Sequence, residues 1–152
     1  MPEQVAVRRA LETDAGAITQ FNIDMALETE NKQLNRKKIE AGVHSLFRHP
    51  EFGFYVVAEF EQRIVGCLMI TYEWSDWRNG LFWWIQSVYV APNYRRLGVY
   101  KTMYNTIREM AADYPQVCGF RLYVERDNEV AQSVYHKLGM DETPYKLFEE
   151  EL

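Results

Sequence analysis

Val88-Tyr89-Val90-Ala91-Pro92-Asn93-Tyr94-Arg95-Arg96-Leu97-Gly98-Val99-Tyr100-Lys101 holds a strand end, a basic turn and a helix start in fourteen letters. Leu81 to Val90 is the longest β-branched and aromatic run of the chain. Leu97 to Ala111 then places Val99, Met103, Ile107 and Met110 at helical steps. A strand that opens onto a helix through a short glycine-containing turn gathers unpaired backbone N–H groups and the positive helix end at one point. A phosphate or pyrophosphate suits that point, and Arg95, Arg96 and Lys101 add side-chain cations. Taken alone, the same letters also describe an ordinary strand-to-helix turn with surface arginines.

Reading outward, Val5 to Arg8 alternates as a first strand, and Ile18, Phe21 and Met25 mark one face of a helix from Thr13 onward. Glu28 to Gln33 is polar and aperiodic and reads as a loop. Asn35 caps a second helix with Ile39, Val43, Leu46 and Phe47 at helical spacing, and Pro50 lies just beyond it. Gly53 to Phe60 and Ile64 to Thr71 form a hairpin around Glu61-Gln62-Arg63, and Asn79-Gly80 is a turn before the long strand. Phe120 to Val124 is a strand, Asn128 to Leu138 a helix that Gly139 stops, and Tyr145 to Phe148 a last strand. The order β-α-α-β-β-β-α-β-α-β predicts a mixed sheet with helices on both faces, α/β or α+β, over residues 1–152 as one domain.

Composition sets the class. The chain has 152 residues, 47% apolar and 26% charged, which excludes wholesale disorder. Its apolar runs fall far short of the ~18 residues that span a bilayer. Met1-Pro2-Glu3-Gln4 lacks the basic and apolar pattern of a signal peptide. Cys67 and Cys118 sit in apolar surroundings, too few for a four-ligand zinc site, and read as buried thiols in a reducing cytoplasm. The histidines are scattered without metal-ligand spacing, so no metal is assigned. A net charge of −5 speaks against nucleic acid, which needs clustered cations. Arg95, Arg96 and Lys101 suit a small polyanion instead.

Asp127-Asn128-Glu129-Val130-Ala131-Gln132-Ser133-Val134-Tyr135-His136-Lys137-Leu138-Gly139-Met140 sets a capping asparagine seven residues, nearly two turns, before a tyrosine on the same helix face. With this second stretch the chain resembles the GNAT superfamily of acetyl-CoA-dependent N-acetyltransferases, in element order and in two motifs. The pattern R/Q-x-x-G-x-G/A falls on Arg95 to Tyr100. The pattern N-x-x-A-x-x-x-Y-x-K-x-G-F/M falls on Asn128, Ala131, Tyr135, Lys137, Gly139 and Met140. The chain departs from the first motif at Tyr100, where the family has Gly or Ala; that ring either points away from the pyrophosphate cradle or crowds it.

The resemblance implies a mostly antiparallel central sheet of six to seven strands with four helices on both faces. It implies that backbone groups of Val88, Tyr89 and Val90 hold the pantetheine arm of acetyl-CoA as an added strand. Arg95, Arg96, Leu97, Gly98, Val99, Tyr100 and Lys101 would line the pyrophosphate, with Asn128 on the pantetheine. Tyr135 would be the general acid that protonates the leaving thiolate, the other reading of it being a buried aromatic. The strand before the turn, Trp83-Trp84-Ile85-Gln86-Ser87, holds no carboxylate to act as base. Glu28 and Glu30 are the remaining candidates, unless they form a solvated acidic loop or the free amine attacks unaided. Trp77, with Tyr72, Trp74, Asp76 and Trp83, suits a cationic acceptor with an apolar body, or serves as core or dimer surface. The expected partner is a small-molecule amine or an exposed protein amine, with no membrane partner, and the strand edges and tryptophans allow a homodimer. The alternative is a non-catalytic acyl-CoA-binding module on the same fold.

Overall fold

The computed structural model describes residues 4–152. Its contacts divide the chain into two compact units, the first ending at Leu122 and the second spanning Tyr123–Leu152. In the first unit β1 (Ala6–Arg9), β2 (Gly53–Phe60), β3 (Arg63–Ser75), β4 (Gly80–Val90) and β5 (Val117–Arg121) form one sheet in chain order. The β1–β2, β2–β3 and β3–β4 pairs are antiparallel and β4–β5 is parallel. The sheet is therefore mixed and mostly antiparallel as expected, but among the described residues it has five strands rather than six to seven. Tyr145 to Phe148 forms no strand, and Tyr145, Leu147 and Phe148 are exposed. Local β-propensity does not make a strand without a partner edge, and this short run ends in Glu149-Glu150-Glu151.

Side-chain alternation sends the sheet's two faces into two layers. Tyr55, Val57, Cys67 and Tyr89 face α1 (Ala15–Glu30) and α2 (Arg36–Arg48), where Ala15, Ile18, Val43 and Leu46 close the core. On the opposite face Val56 pairs with Leu68 and Phe54 with Ile70, and α3 (Val99–Ala112) buries Val99, Met103, Tyr104 and Ile107. Removing the side chain of a fully buried residue such as Leu68 or Ile107 costs roughly 2–5 kcal/mol. The second unit holds α4 (Glu129–Lys137).

Two of the moved boundaries have a local cause. α1 continues through Glu30, because Asn31 takes a left-handed φ of 50° and closes the helix with bonds from Asn31 N–H to Leu27 and from Lys32 N–H to Ala26. Asparagine tolerates that conformation, and glutamates are good helix formers that apolar periodicity cannot register. β5 starts at Val117 rather than Phe120, since Cys118-Gly119 breaks the β-forming run that pattern reading needs. Cys118, on that edge strand, is exposed; Cys67 is buried, and burial pushes its thiol up to about 12, which leaves it inert.

Arg8 ties the start of the chain to the sheet. Its guanidinium donates to both carboxylate oxygens of Asp14 (2.8 and 3.2 Å) and to Glu59 Oε1 (3.1 Å), while Leu11 N–H donates to Asp14 Oδ2 (2.8 Å). The Arg8 bond, with help from the Leu11 N–H, holds the Asp14 carboxyl below its ordinary range. A depressed carboxyl stabilises the fold above its unfolded value of ~3.9, and that contribution is lost as pH falls through the lower folded value. Asp14→Asn should therefore cost about 2 kcal/mol at pH 7, between the values for exposed and buried pairs, and much less near pH 2. Urea unfolding at the two pH values measures the difference; equal losses at both would separate the effect from the carboxylate charge.

Candidate functional site

The turn after β4 is built to expose backbone donors. Pro92–Tyr94 forms a single 3-10 turn, after which Arg96 (φ 63°) and Gly98 (φ 80°) are both left-handed. Glycine takes that conformation without a Cβ clash, and Gly98 sits there as the N-cap of α3 with no side chain to cap the helix. The first bond within α3 runs from Thr102 N–H to Gly98 O (3.0 Å), so the N–H groups ahead of Thr102 have no carbonyl of the helix to bond. Arg96 and Lys101 are exposed beside them, and neither forms an ion pair among the described residues. Tyr100 directs its ring along the helix to Tyr104, 6.3 Å between centroids, and Tyr104 meets Phe120 at 5.9 Å.

β4 supplies the second element. β5 pairs with it only over Leu81–Trp84, so the outer edge of Ile85–Val90 carries no strand of the first unit. The four β4 residues from Gln86 to Tyr89 span what three β3 residues span from Cys67 to Met69, and Ser87 has φ 51°. That is a β-bulge, which re-aims the backbone groups beside it. Sequence reasoning missed it, since no residue type at Ser87-Val88 demands one. Ala91 N–H donates to Val65 O (2.8 Å), so Ala91 turns its polar groups to β3, and Val90 and Val88 turn theirs outward by alternation. An extended ligand finds at this edge the groups a neighbouring strand would find.

Glu28, Tyr89 and Arg95 come together at the end of β4. Arg95 Nη2 donates to Glu28 Oε2 (2.9 Å) and Oε1 (3.2 Å), and Arg95 Nε donates to the outward Val90 carbonyl (2.8 Å). Tyr89 Oη donates to Glu28 Oε1 (3.0 Å), and the Arg95 guanidinium lies over the Tyr89 ring at 5.2 Å. Burial and the bond to Glu28 both push the Tyr89 phenol upward, so it stays protonated and donating. Arg95, expected among the phosphate cations, thus has its guanidinium on a carboxylate.

Other expected residues fall elsewhere. Glu30 is the last residue of α1 and exposed. Trp77 lies 89% exposed in the turn before Gly80, at the far end of β4 from Glu28. At about 3.3 Å per strand residue the two ends are roughly 30 Å apart, so Trp77 and Glu28 do not share a site. Trp83 is core, in contact with Phe54, Tyr114 and Phe120. A carboxylate not singled out from the sequence, Glu73, accepts from Trp84 Nε1 and Arg121 Nη1, both at 2.8 Å. Those bonds hold it below the usual carboxylate range, which makes it a weak proton acceptor. Strand alternation puts Glu73 on the face of Trp84, and that was its only sequence signal.

In the second unit Asn128 caps α4, its Oδ1 accepting from Ala131 N–H (3.0 Å). Gly139 N–H bonds His136 and Met140 N–H bonds Tyr135, the double bond pattern that ends a helix at a glycine. Burial raises the Tyr135 phenol above its ordinary value. Among the described residues no group of three or more His, Cys, Asp or Glu side chains is placed to hold a metal, and no helix is long and apolar enough to cross a membrane.

A model of the acetyltransferase (GNAT) family matches residues 17–140. The crystal structure of a possible acetyltransferase from Clostridium difficile 630 is 40% identical, with a TM-score of 0.90 over 98% of this chain and 98% of that one. Two further structures share the fold at lower identity. One is a ribosomal-protein-alanine N-acetyltransferase from Brucella melitensis biovar Abortus 2308, 12% identical, TM-score 0.78, covering 97% of this chain and 99% of that one. The other is a predicted acetyltransferase with acetyl-CoA from Clostridium acetobutylicum, 18% identical, TM-score 0.77, covering 96% of each chain. No curated protein matches the sequence.

Proposed function

Because the chain belongs to the acetyltransferase (GNAT) family, we propose that it transfers the acetyl group of acetyl-CoA to a primary amine, by direct attack while both are bound. The observation that carries this reading is the junction of β4 and α3: a bulged strand edge that carries no strand of the first unit beyond Trp84, running into a helix start without a side-chain cap, flanked by Arg96 and Lys101. Acetyl-CoA supplies an acyl group already activated as a thioester. A pantetheine arm fits the outward groups of Val88 and the outward N–H of Val90, and a pyrophosphate fits the N–H groups of residues 98–101. The outward N–H groups beside the Ser87 bulge are donors suited to a carbonyl oxygen that gains charge as the amine attacks. Asn128 Nδ2 is assigned to the cofactor arm and the Tyr135 hydroxyl to the departing sulfur, as the motif they belong to implies. Glu28 lies beside Tyr89 on β4, where an ammonium acceptor would meet a carboxylate. With Glu73 and Glu28 both held by donors, the amine attacks in its free form, generated through water or Glu30.

Calorimetry with CoA, followed by thiol release from acetyl-CoA against a panel of amines that includes spermidine, 1,5-diaminopentane, tyramine and peptide N-termini, tests the reading. Micromolar CoA binding and turnover of at least one amine are the expected results. Binding without thiol release from any amine would instead indicate a non-catalytic acyl-CoA module.

A further inference from the structure

The turn carries three cations, and they are not equivalent. Arg96 and Lys101 are exposed with no ion pair among the described residues. Arg95 is held three ways: by both oxygens of Glu28, by the Val90 carbonyl at 2.8 Å, and by the face of Tyr89. One planar fork thus joins the last turn of α1 to the last residue of β4, and Tyr89 Oη completes the contact by donating to the same carboxylate. Each hold alone is weak in solvent, since the Arg95 and Glu28 side chains are 42% and 41% exposed. Acting together they fix one rotamer of Arg95 and one of Glu28. The segment that follows Glu30, residues 31–35, has no other tie to β4 among the hydrogen bonds of the described residues.

Resting on the proposed acetyltransferase reading, we infer that Arg95 is a positioning residue for the acceptor side of the site and not a ligand of the cofactor's phosphates. It sets Glu28 and the end of α1 against β4, where the amine has to approach the thioester, and leaves the phosphates to Arg96, Lys101 and the start of α3. Because Arg95 grips a carboxylate and a backbone carbonyl through two edges of one fork, lysine cannot replace it. A phosphate ligand acting as a point charge, in contrast, tolerates lysine.

The test compares wild type with Arg95→Gln, Arg95→Lys, Glu28→Gln and the double variant Glu28→Gln/Arg95→Gln. CoA affinity is measured by calorimetry. Initial rates are taken with saturating acetyl-CoA and whichever of spermidine, 1,5-diaminopentane and tyramine the wild type acetylates. Amide exchange is followed over residues 28–35. The expected result is a CoA Kd within about twofold of wild type throughout, with the amine KM raised about fivefold at nearly constant kcat. Exchange over residues 28–35 rises by a similar factor, Arg95→Lys behaves like Arg95→Gln, and the double variant is no worse than either single one. A CoA Kd weakened fivefold or more by Arg95→Gln and restored by Arg95→Lys would overturn the assignment, as would an unchanged amine KM. A wild type that binds no CoA, or acetylates no amine, overturns the proposed function and this assignment with it; changed CoA affinity in the variants alone overturns only the latter.

Discussion

Tyr135→Phe is expected to lower kcat about 10²-fold while the Kd for CoA stays within about twofold. General acid catalysis contributes ~10²–10⁴-fold, and the low end applies because a thiolate, with a pKa near ~8.5, already leaves readily in water. What the phenol would add is a proton held beside the departing sulfur. Burial raises the Tyr135 phenol above its ordinary value, so it remains protonated through neutral pH and the alkaline loss of its activity lies above pH ~10. The attacking amine has the opposite requirement: it must be deprotonated, so kcat/KM should climb from pH 7 toward the amine's own pKa of ~10. The phenylalanine variant keeps that rising limb and loses only the alkaline fall that belongs to the phenol. Turnover in Tyr135→Phe equal to wild type at saturating substrates, with an unchanged melting temperature, would remove the hydroxyl from the mechanism.

How much of this was legible depends on what kind of signal each feature writes. The β4–α3 junction was read correctly to within two residues, because a β-branched run, a basic glycine turn and a helical repeat are all local patterns. The Asn128 cap was equally local, needing only a hydrogen bond three residues ahead. The Arg95–Glu28 pair joins residues 67 apart, and nothing in either neighbourhood encodes it. Arg95 was therefore assigned by its place in a basic turn and by its motif, and its guanidinium lies on the Glu28 carboxylate of α1. The Ser87 bulge left no trace either, since a left-handed serine is set by the register of β3 against β4 and not by its own propensity. Trp77 rests on a similarly weak signal: an aromatic residue beside carboxylates is a composition, and only the length of β4 shows how far it lies from Glu28.

Gly53→Ala is expected to be the most damaging single-methyl change in the first unit, costing about 3–4 kcal/mol. Gly53 has φ 153° and begins β2 directly opposite Thr71 on β3. A Cβ there would lie 1.9 Å from Ile70 O, 3.0 Å from Ile70 C and 3.1 Å from Thr71 Cα, all backbone atoms that no rotamer change can move aside. Relief requires the start of β2 to lift from β3, which disturbs Phe54 and its edge contact with Trp83 at 5.3 Å. Against a typical stability of ~5–15 kcal/mol this is a large fraction, and the melting temperature should fall by roughly 10 °C. Gly42→Ala provides the opposite sign in the same background. It is exposed in the middle of α2, a Cβ there meets nothing within 4 Å, and alanine should gain about 0.5–1 kcal/mol. Thermal melts of the two variants together separate a backbone clash from any general intolerance of added methyls. A Gly53→Ala protein that melts with wild type would mean that β2 does not start against Ile70 and Thr71.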